Sequence, residues 1–569
     1  MYNQNSFLKQ PRQALFWVLA IALTALLINL NGWSVLEASE ARYAEISREM
    51  FRSGSWLHPT LLNIRHYHKP PVVFWLTSLG FQLFGVNAFG ARFFLQLSVI
   101  VQGALIYGIA KRLFGVGAAS SQEGEQALLA AIIYLSLPLS IIGSRNLTTD
   151  SFLTTLVLAT VYSMSAYYCQ QKRQQAGQRK VWGIYSSALC IGLGFLTKGP
   201  AIFVVPFFFW TYLMLARKED YRVPIKHLLA ALVLCLGIGL SWYVLVSRQV
   251  PGLANYFIGQ QVVARVSDDQ AFDRAQPFWY YPLILATTTL PWCWLYLWSW
   301  VCPRYRLYKN VAVKQLSFFW LLLPFIVFAL SSSKLMMYLL PLYPGIALIL
   351  SNILLEIPRL DLARLTKGFF IFYELIGCLL LFGGLITQSL GVEVVVTWPM
   401  IAWALMLMLM PPLVWQLISQ PRLRIGTIAF FSTMVLTIYS TYFFQANELL
   451  IGGTRPLAQF IQSQGLQDRP VLVYNKLLPS LAFNLDRNVI TINDTDANHS
   501  IQREYQFETN DRWRQYWLYS DQPAARASLA ELARSPSTLI TRGEVPERWN
   551  WLLGNYSNAQ EIGRWTVHY

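Results

Sequence analysis

Charged residues are scarce in this chain: Asp, Glu, Lys and Arg make up 13% of its 569 residues, against 55% hydrophobic. A soluble globular domain carries about a quarter charged residues, so this scarcity excludes that class for most of the sequence. Cysteine is scarcer still. The six cysteines, Cys169, Cys190, Cys235, Cys293, Cys302 and Cys378, all lie in or beside apolar runs. None falls in the polar C-terminal part, which excludes a disulfide framework or a thiolate metal site there. Acids are outnumbered by bases, 29 to 45, for a net charge of +16. Such an excess would suit nucleic acid, but its distribution sets membrane topology instead, so no nucleic-acid partner is expected. A cleavable leader is not expected either. The first apolar run has few positive flanks (Lys9, Arg12) and no small-residue cleavage signature, and it reads as a retained helix.

What the chain does have is apolar length. Runs long enough to cross a hydrocarbon core of about 30 Å recur from Ala14 to Phe444. Spans placed near 13–31, 92–114, 126–143, 150–169 and onward to 425–444 predict an α-helical polytopic membrane protein with about thirteen transmembrane helices. Alternate loops then carry the Lys and Arg: Lys111 with Arg112, QQKRQQAGQRK, ARKEDYRVPIKH, CPRYRLYKNVAVK, EIPRLDLARLTKG and SQPRLRIG. The positive-inside rule makes these loops, and the N-terminus with them, cytoplasmic. The run PPVVFWLTSLGFQLFG is short and opens on Pro70 and Pro71. Counted as a span it would reverse every later loop, so it is expected to be interfacial or re-entrant. Residues 1–445 therefore read as a transmembrane domain with an amphipathic first outer loop at 32–91. Residues 446–569 read as a small soluble α/β domain on the non-cytoplasmic side, with strands in RPVLVYN, RNVITIN, STLITR and GRWTVHY and helices in TRPLAQFIQSQG and KLLPSLAFNLD.

With that topology, six segments share the outer face: LEASEARYAEISREMFRSGSW, RHYHKPP, SRNLTTDSF, FLTKGP, GQQVVARV with DDQAFDRAQPFW, and SSSKLMMYLLPLYP. Their charges run against the positive-inside bias. A basic cluster of Arg42, Lys69, Lys198, Arg265 and Lys334 suits a phosphate headgroup at the membrane surface. The interleaved carboxylates, Glu40 and Asp150, suit proton abstraction, and they leave a divalent cation open. Each residue also has a plain reading. A lone basic residue near a helix end usually snorkels to the headgroups, and Asp150 could cap its helix. The pairs Glu45 with Arg48 and Glu49 with Arg52 read as solvated partners on an amphipathic surface helix whose apolar positions are Tyr43, Ile46, Met50 and Phe51. His66 and His68 are two apart, but loop histidines are more often plain than metal-binding. Glu374, inside a span, is a functional candidate by default or a protonated packing residue. Convergence of the six segments, rather than any one residue, carries the functional reading.

The succession SEARYAEISREM, HKPPVVFWL, TTDSFL, LTKGP and SSKLMMYLLPLYP resembles the GT-C membrane glycosyltransferases, in the bacterial branch that contains the aminoarabinose transferase of lipid A and is related to protein O-mannosyltransferases. The resemblance covers the membrane region and keeps the order and approximate spacing of the motifs. It implies a glycosyltransferase that moves a hexose or pentose from an undecaprenyl-phosphate-linked donor to a lipid, glycan or protein acceptor at the periplasmic face of the bacterial inner membrane. The family's two acidic catalytic positions match Glu40 and Asp150. Its donor-phosphate residues match Lys69 and Arg265, and its KLxxYxLP element matches Lys334 and Tyr338, the tyrosine one helical turn later and so on the same face. Three positions depart from the pattern: Ser39 stands where relatives have Asp, His68 where the aminoarabinose transferase has Glu, and Val262 where it has a metal-binding His. No metal site is carried over. The alternative from another class is a transporter or flippase of lipid-linked sugars, which would show repeat-related halves and polar sites near the midplane.

Overall fold

The computed structural model of the protein describes residues 10–114, 120–173, 181–216, 223–263, 276–296, 311–331, 333–391, 393–494, 507–508, 510–519 and 523–569. Among these, seven helices are long and apolar enough to cross a membrane: Ala88–Phe114, Trp182–Leu215, Ile225–Gln249, Met336–Glu356, Arg359–Ser389, Trp398–Leu417 and Pro421–Ala446. The pair Glu123–Ser136 and Pro138–Arg145, bent by 55°, adds an eighth if taken as one span. The chain is a multi-pass membrane protein. Thirteen crossings exceed what these residues display, because several expected spans are short or polar.

Six helices and the segments between them build the face that carries these motifs. Helix α1 (Pro11–Leu27) leads into α2 (Ser39–Ser53), then α3 (Val72–Phe84) and α4 (Ala88–Phe114). Helix α5 (Thr149–Arg173) follows the bent pair, whose break has a local cause in extended Leu137 before Pro138. Helix α6 (Trp182–Lys198) packs against α5. With 13 residues, α3 is about 20 Å long, short of a hydrocarbon core of about 30 Å, as expected of a non-spanning segment. It lies hard on α4: a Cβ added to Gly80 would fall 2.1 Å from the Gly90 carbonyl oxygen, so only glycine permits this crossing. Helix α5 matches the expected span 150–169 but is too polar to count as one. Its Thr154, Thr160 and Ser163 hydroxyls bond the carbonyls four residues back, and contacts with α4 and α6 cover it, so it needs no lipid-facing apolar surface.

After the last long helix, α7 (Pro421–Ala446), the chain forms a six-stranded mixed sheet. Its strands are β1 (Val471–Tyr474), β2 (Ile490–Asn493), β3 (Trp517–Tyr519), β4 (Thr538–Thr541), β5 (Ala559–Ile562) and β6 (Trp565–His568). The order is β3-β2-β1-β4-β6-β5; the first four strands are parallel and the last two pair antiparallel. The four strands read from the sequence are present; β3 and β5 were not anticipated. Helices α8 (Arg455–Ser463) and α9 (Pro479–Leu485) connect this sheet to the outer face.

The helix α2 corrects an expectation. Its apolar face does bury Ile46 and Met50, yet in a cluster that includes Phe74 of α3 and Leu481 and Ala482 of α9, the two helices against which it packs. Its charges are not solvated: Glu45, Arg48 and Glu49 are all buried. Arg48 grips Glu45 with two hydrogen bonds of 2.7 Å and reaches Asp486 and Asn488, each at 3.2 Å, just beyond α9. The helix is a layer between the membrane helices and the sheet rather than a raft on the lipid surface.

Candidate active site

At the centre of the site is an ion pair between Asp150, in the first turn of α5, and Lys198, in the last turn of α6. Both side chains are buried, at 8% and 7% exposure, so each charge depends on the other. Asp150 gains from the α5 N-terminal dipole and Lys198 from the C-terminal end of α6. The Lys198 ammonium also sits over the ring of Tyr338, 4.1 Å from its centroid. Tyr43 of α2 closes the cluster. Its hydroxyl is hydrogen-bonded to Thr149, and its pKa is raised by burial and then by the Asp150 charge, with Arg42 opposing and Tyr338 adding to it. Asp150, Lys198, Tyr338, Tyr43 and Arg42, from four stretches far apart in sequence, therefore share one site.

Around this centre the cations differ in what holds them. Arg42 is half-buried and, among the described residues, makes no hydrogen bond or ion pair, though its charge reaches Glu37, Tyr43 and His66. Lys334 is also half-buried and has no ion pair among them. Lys69 lies near enough to His66 to affect it: burial first, then Arg42 and Lys69, push that imidazole well below its ordinary pKa and keep it neutral. His66 stacks near His68, ring centroids 4.3 Å apart, and His68 lies on Tyr256. No group of three His, Cys, Asp or Glu that could hold a metal occurs among the described residues. Arg265 and the side chain of Val262 lie outside what the structure describes.

Two expectations need correction. Lys334 and Tyr338 do not share a helical face. Leu335 is extended, and a 3-10 helix starts only at Met336, with Pro341 inside it. Tyr338 is instead matched with Lys198. Glu40, the expected proton acceptor, is not a free carboxylate. Arg92 of α4 holds both its oxygens, at 2.8 and 2.9 Å, and the amides of Leu36 and Leu147 donate to them as well. Arg92 was missed because an arginine opening an apolar run resembles a snorkelling residue, and only its full burial distinguishes it. Glu374, on Arg359–Ser389, makes no ion pair among the described residues; its helix packs on Trp398–Leu417 and α7, away from this cluster.

Beside the site two carboxyls titrate unusually. Glu37 accepts a 2.7 Å hydrogen bond from the Ser480 amide, and burial raises it to about 7. Glu49 accepts from the Asn63 amide, and burial, then the Glu45 charge, raises it to about 8. Against an ordinary value of 4.5, the folded chain holds extra protons in this interval. The contribution is complete below about pH 4.5 and is lost as pH rises through 7 and 8, the folded values. The thermal midpoint should therefore fall between about pH 6 and pH 9, and Glu49→Gln should flatten that fall. An equal slope in wild type and variant would remove Glu49 from the account.

The comparisons with known proteins agree with the resemblance read from the sequence. The profile of the dolichyl-phosphate-mannose-protein mannosyltransferase family matches residues 68–242. An undecaprenyl phosphate-alpha-4-amino-4-deoxy-L-arabinose arabinosyl transferase of Serratia proteamaculans is 30% identical over 344 residues, 59% of this chain and 58% of that protein. One from Sodalis glossinidius is 32% identical over 59% of this chain and 57% of its own length. The chain thus matches somewhat under three-fifths of each of these two relatives. The crystal structure of ArnT from Cupriavidus metallidurans bound to undecaprenyl phosphate superposes with a TM-score of 0.74 at 18% identity, covering 97% of both chains. At that identity the likeness establishes a shared fold.

Proposed function

We propose that this protein is an integral membrane glycosyltransferase of the bacterial inner membrane. It transfers a sugar from a polyprenyl phosphate donor, such as an undecaprenyl phosphate sugar, to a lipid acceptor at the periplasmic face. The observation that carries the reading is the buried Asp150–Lys198 pair under Tyr338, with Arg42 and Lys334 beside it making no ion pair among the described residues. The relatives named above use undecaprenyl phosphate sugars, which supports the donor class. In this reading the N-terminus is cytoplasmic, the membrane part makes about thirteen crossings up to residue 445, and 446–569 is a periplasmic α/β domain.

The chemistry follows from the charges. Transfer breaks the bond between the anomeric carbon and the donor phosphate oxygen, so negative charge builds on the departing polyprenyl phosphate. Cations fixed beforehand stabilise that charge without reorganising. Lys198 has three N–H donors and spends one on Asp150, so it can meet the phosphate while still paired. Arg42, Lys69 and Lys334 can complete the cradle, Arg42 in two-pronged fashion. When the acceptor is a hydroxyl, Asp150 takes its proton; a phosphate acceptor is already ionised and needs no strong base.

Lys69→Ala is expected to weaken polyprenyl phosphate binding at least about tenfold, the cost of one hydrogen bond to a charged group. Titration of the purified variant measures it, and an unchanged Kd would take Lys69 out of the cradle. The reading as a whole is tested by incubating purified protein with a panel of polyprenyl phosphate sugars. Consumption of at least one donor is expected; none consumed, with polyprenyl phosphate itself unbound, would overturn it.

A further inference from the structure

We propose that Arg92 is a positioning residue: through Glu40 it fixes the first outer loop against the segment before α5, and so sets Arg42 and Tyr43 relative to Asp150. This inference rests on the reading of the outer face as a sugar-transfer site.

The guanidinium of Arg92 is fully buried, and all five of its N–H groups are used. Nε and Nη2 bind the two oxygens of Glu40. Nη1 donates to the carbonyls of Leu30 and Trp33, both at 3.1 Å, and Nη2 also donates to that of Ser34 at 2.7 Å. The Trp33 ring lies under the guanidinium, 4.1 Å away. Glu40 is equally committed, since the Leu36 and Leu147 amides share its oxygens with Arg92. A pair so fully satisfied has no capacity left for a ligand or a substrate proton. Its effect is geometric.

The knot joins four pieces of chain: the exit from α1, the first turn of α2, the first turns of α4, and Leu147. Arg42 and Tyr43 follow Glu40 by two and three residues, and Asp150 follows Leu147 by three. One turn along α4 from Arg92, Gln96 donates to the Ser144 carbonyl at 2.7 Å, so α4 holds both loops at once. A second buried arginine, Arg145, donates to the Leu26 carbonyl, and its guanidinium lies 5.8 Å from the same Trp33 ring. Glu40 is the carboxylate between these two cations. Neutralising Glu40 alone leaves both buried cations without their carboxylate, whereas neutralising Arg92 as well removes one of those two charges. That asymmetry separates a positioning pair from a catalytic base.

The test uses full-length protein with an undecaprenyl phosphate sugar that the wild type consumes. Arg92→Met and Glu40→Gln should each raise the donor KM and lower kcat about tenfold or more at equal folded fraction, with the pH–rate midpoint unmoved. Arg92→Lys should retain more activity than Arg92→Met, and the double variant R92M/E40Q should regain at least about fivefold over E40Q. In hydrogen exchange, each single variant should loosen residues 36–44 and 144–150 together, and the double variant should re-protect both. A Glu40→Gln enzyme with wild-type KM, a shifted pH profile and no recovery in the double variant would make Glu40 the base and overturn the proposal. The exchange arm needs no turnover. If wild type consumes no donor, the transfer reading fails by itself, and exchange rising in only one of the two segments overturns the positioning claim.

Discussion

Lys198→Met is expected to lower sugar transfer from a polyprenyl phosphate donor by about 10²–10³-fold, the loss typical when one preorganised donor to a developing oxyanion is removed. The lysine is buried against Asp150 and over the ring of Tyr338, so it is held in place before any substrate arrives. Methionine keeps the length and apolar stem but not the charge. The variant also leaves Asp150 buried without its cation, a defect that Asp150→Asn in the same chain should relieve. The double variant D150N/K198M should therefore regain thermal stability while remaining inactive. The rate of free polyprenyl phosphate release reads the first effect and a melting curve the second. Turnover at the wild-type rate in Lys198→Met would remove the cation from the mechanism. Asp150→Asn reports on the acceptor when acceptors are compared: a loss of about 10²-fold or more with a hydroxyl acceptor, and a smaller one with a phosphate acceptor that is already ionised.

Arg48→Met should be the most damaging change outside the site, at about 3–5 kcal/mol, because it strands Glu45 in a buried layer. Its guanidinium makes two 2.7 Å bonds to Glu45, whose side chain is fully buried, and reaches across to Asp486 and Asn488. Arg52 also pairs with Asp486, but both of those side chains are roughly half exposed, so Arg52→Ala should cost no more than about 1 kcal/mol. Thermal melts and limited proteolysis of the C-terminal sheet measure the difference. Equal, small effects of the two substitutions would mean that the interface between α2 and the sheet carries little of the stability.

These contrasts also mark how far the sequence could be read. The apolar period of residues 43–51 located α2 correctly, and the short proline-led run gave a helix too short to span. The fate of the charges on α2 was not legible, because their partners at 486 and 488 lie over 430 residues away and no local pattern encodes that meeting. Asp150 and Lys198 were identified singly from their motifs; that they pair is a property of the packing of α5 on α6. Glu40 shows the same limit with a heavier consequence. Its type and place suited a base, and its burial against Arg92 was not legible in the sequence. The spacing of Lys334 and Tyr338 implied a shared face only for an α-helix, and the extended Leu335 and the 3-10 turn that follows break that rule. Helix α5 shows that a long helix covered by its neighbours can be rich in Ser and Thr, which hydropathy alone discounts.

The central claim is that a glycosidic bond is broken at this face rather than a lipid-linked sugar carried across the membrane. Mass spectrometry of proteoliposomes loaded with a polyprenyl phosphate sugar and a candidate lipid acceptor tests it directly. The account predicts free polyprenyl phosphate and a glycosylated acceptor in equal amounts with the wild-type protein, and neither with Lys198→Met. Intact donor redistributed between the leaflets, with no free polyprenyl phosphate formed, would contradict it.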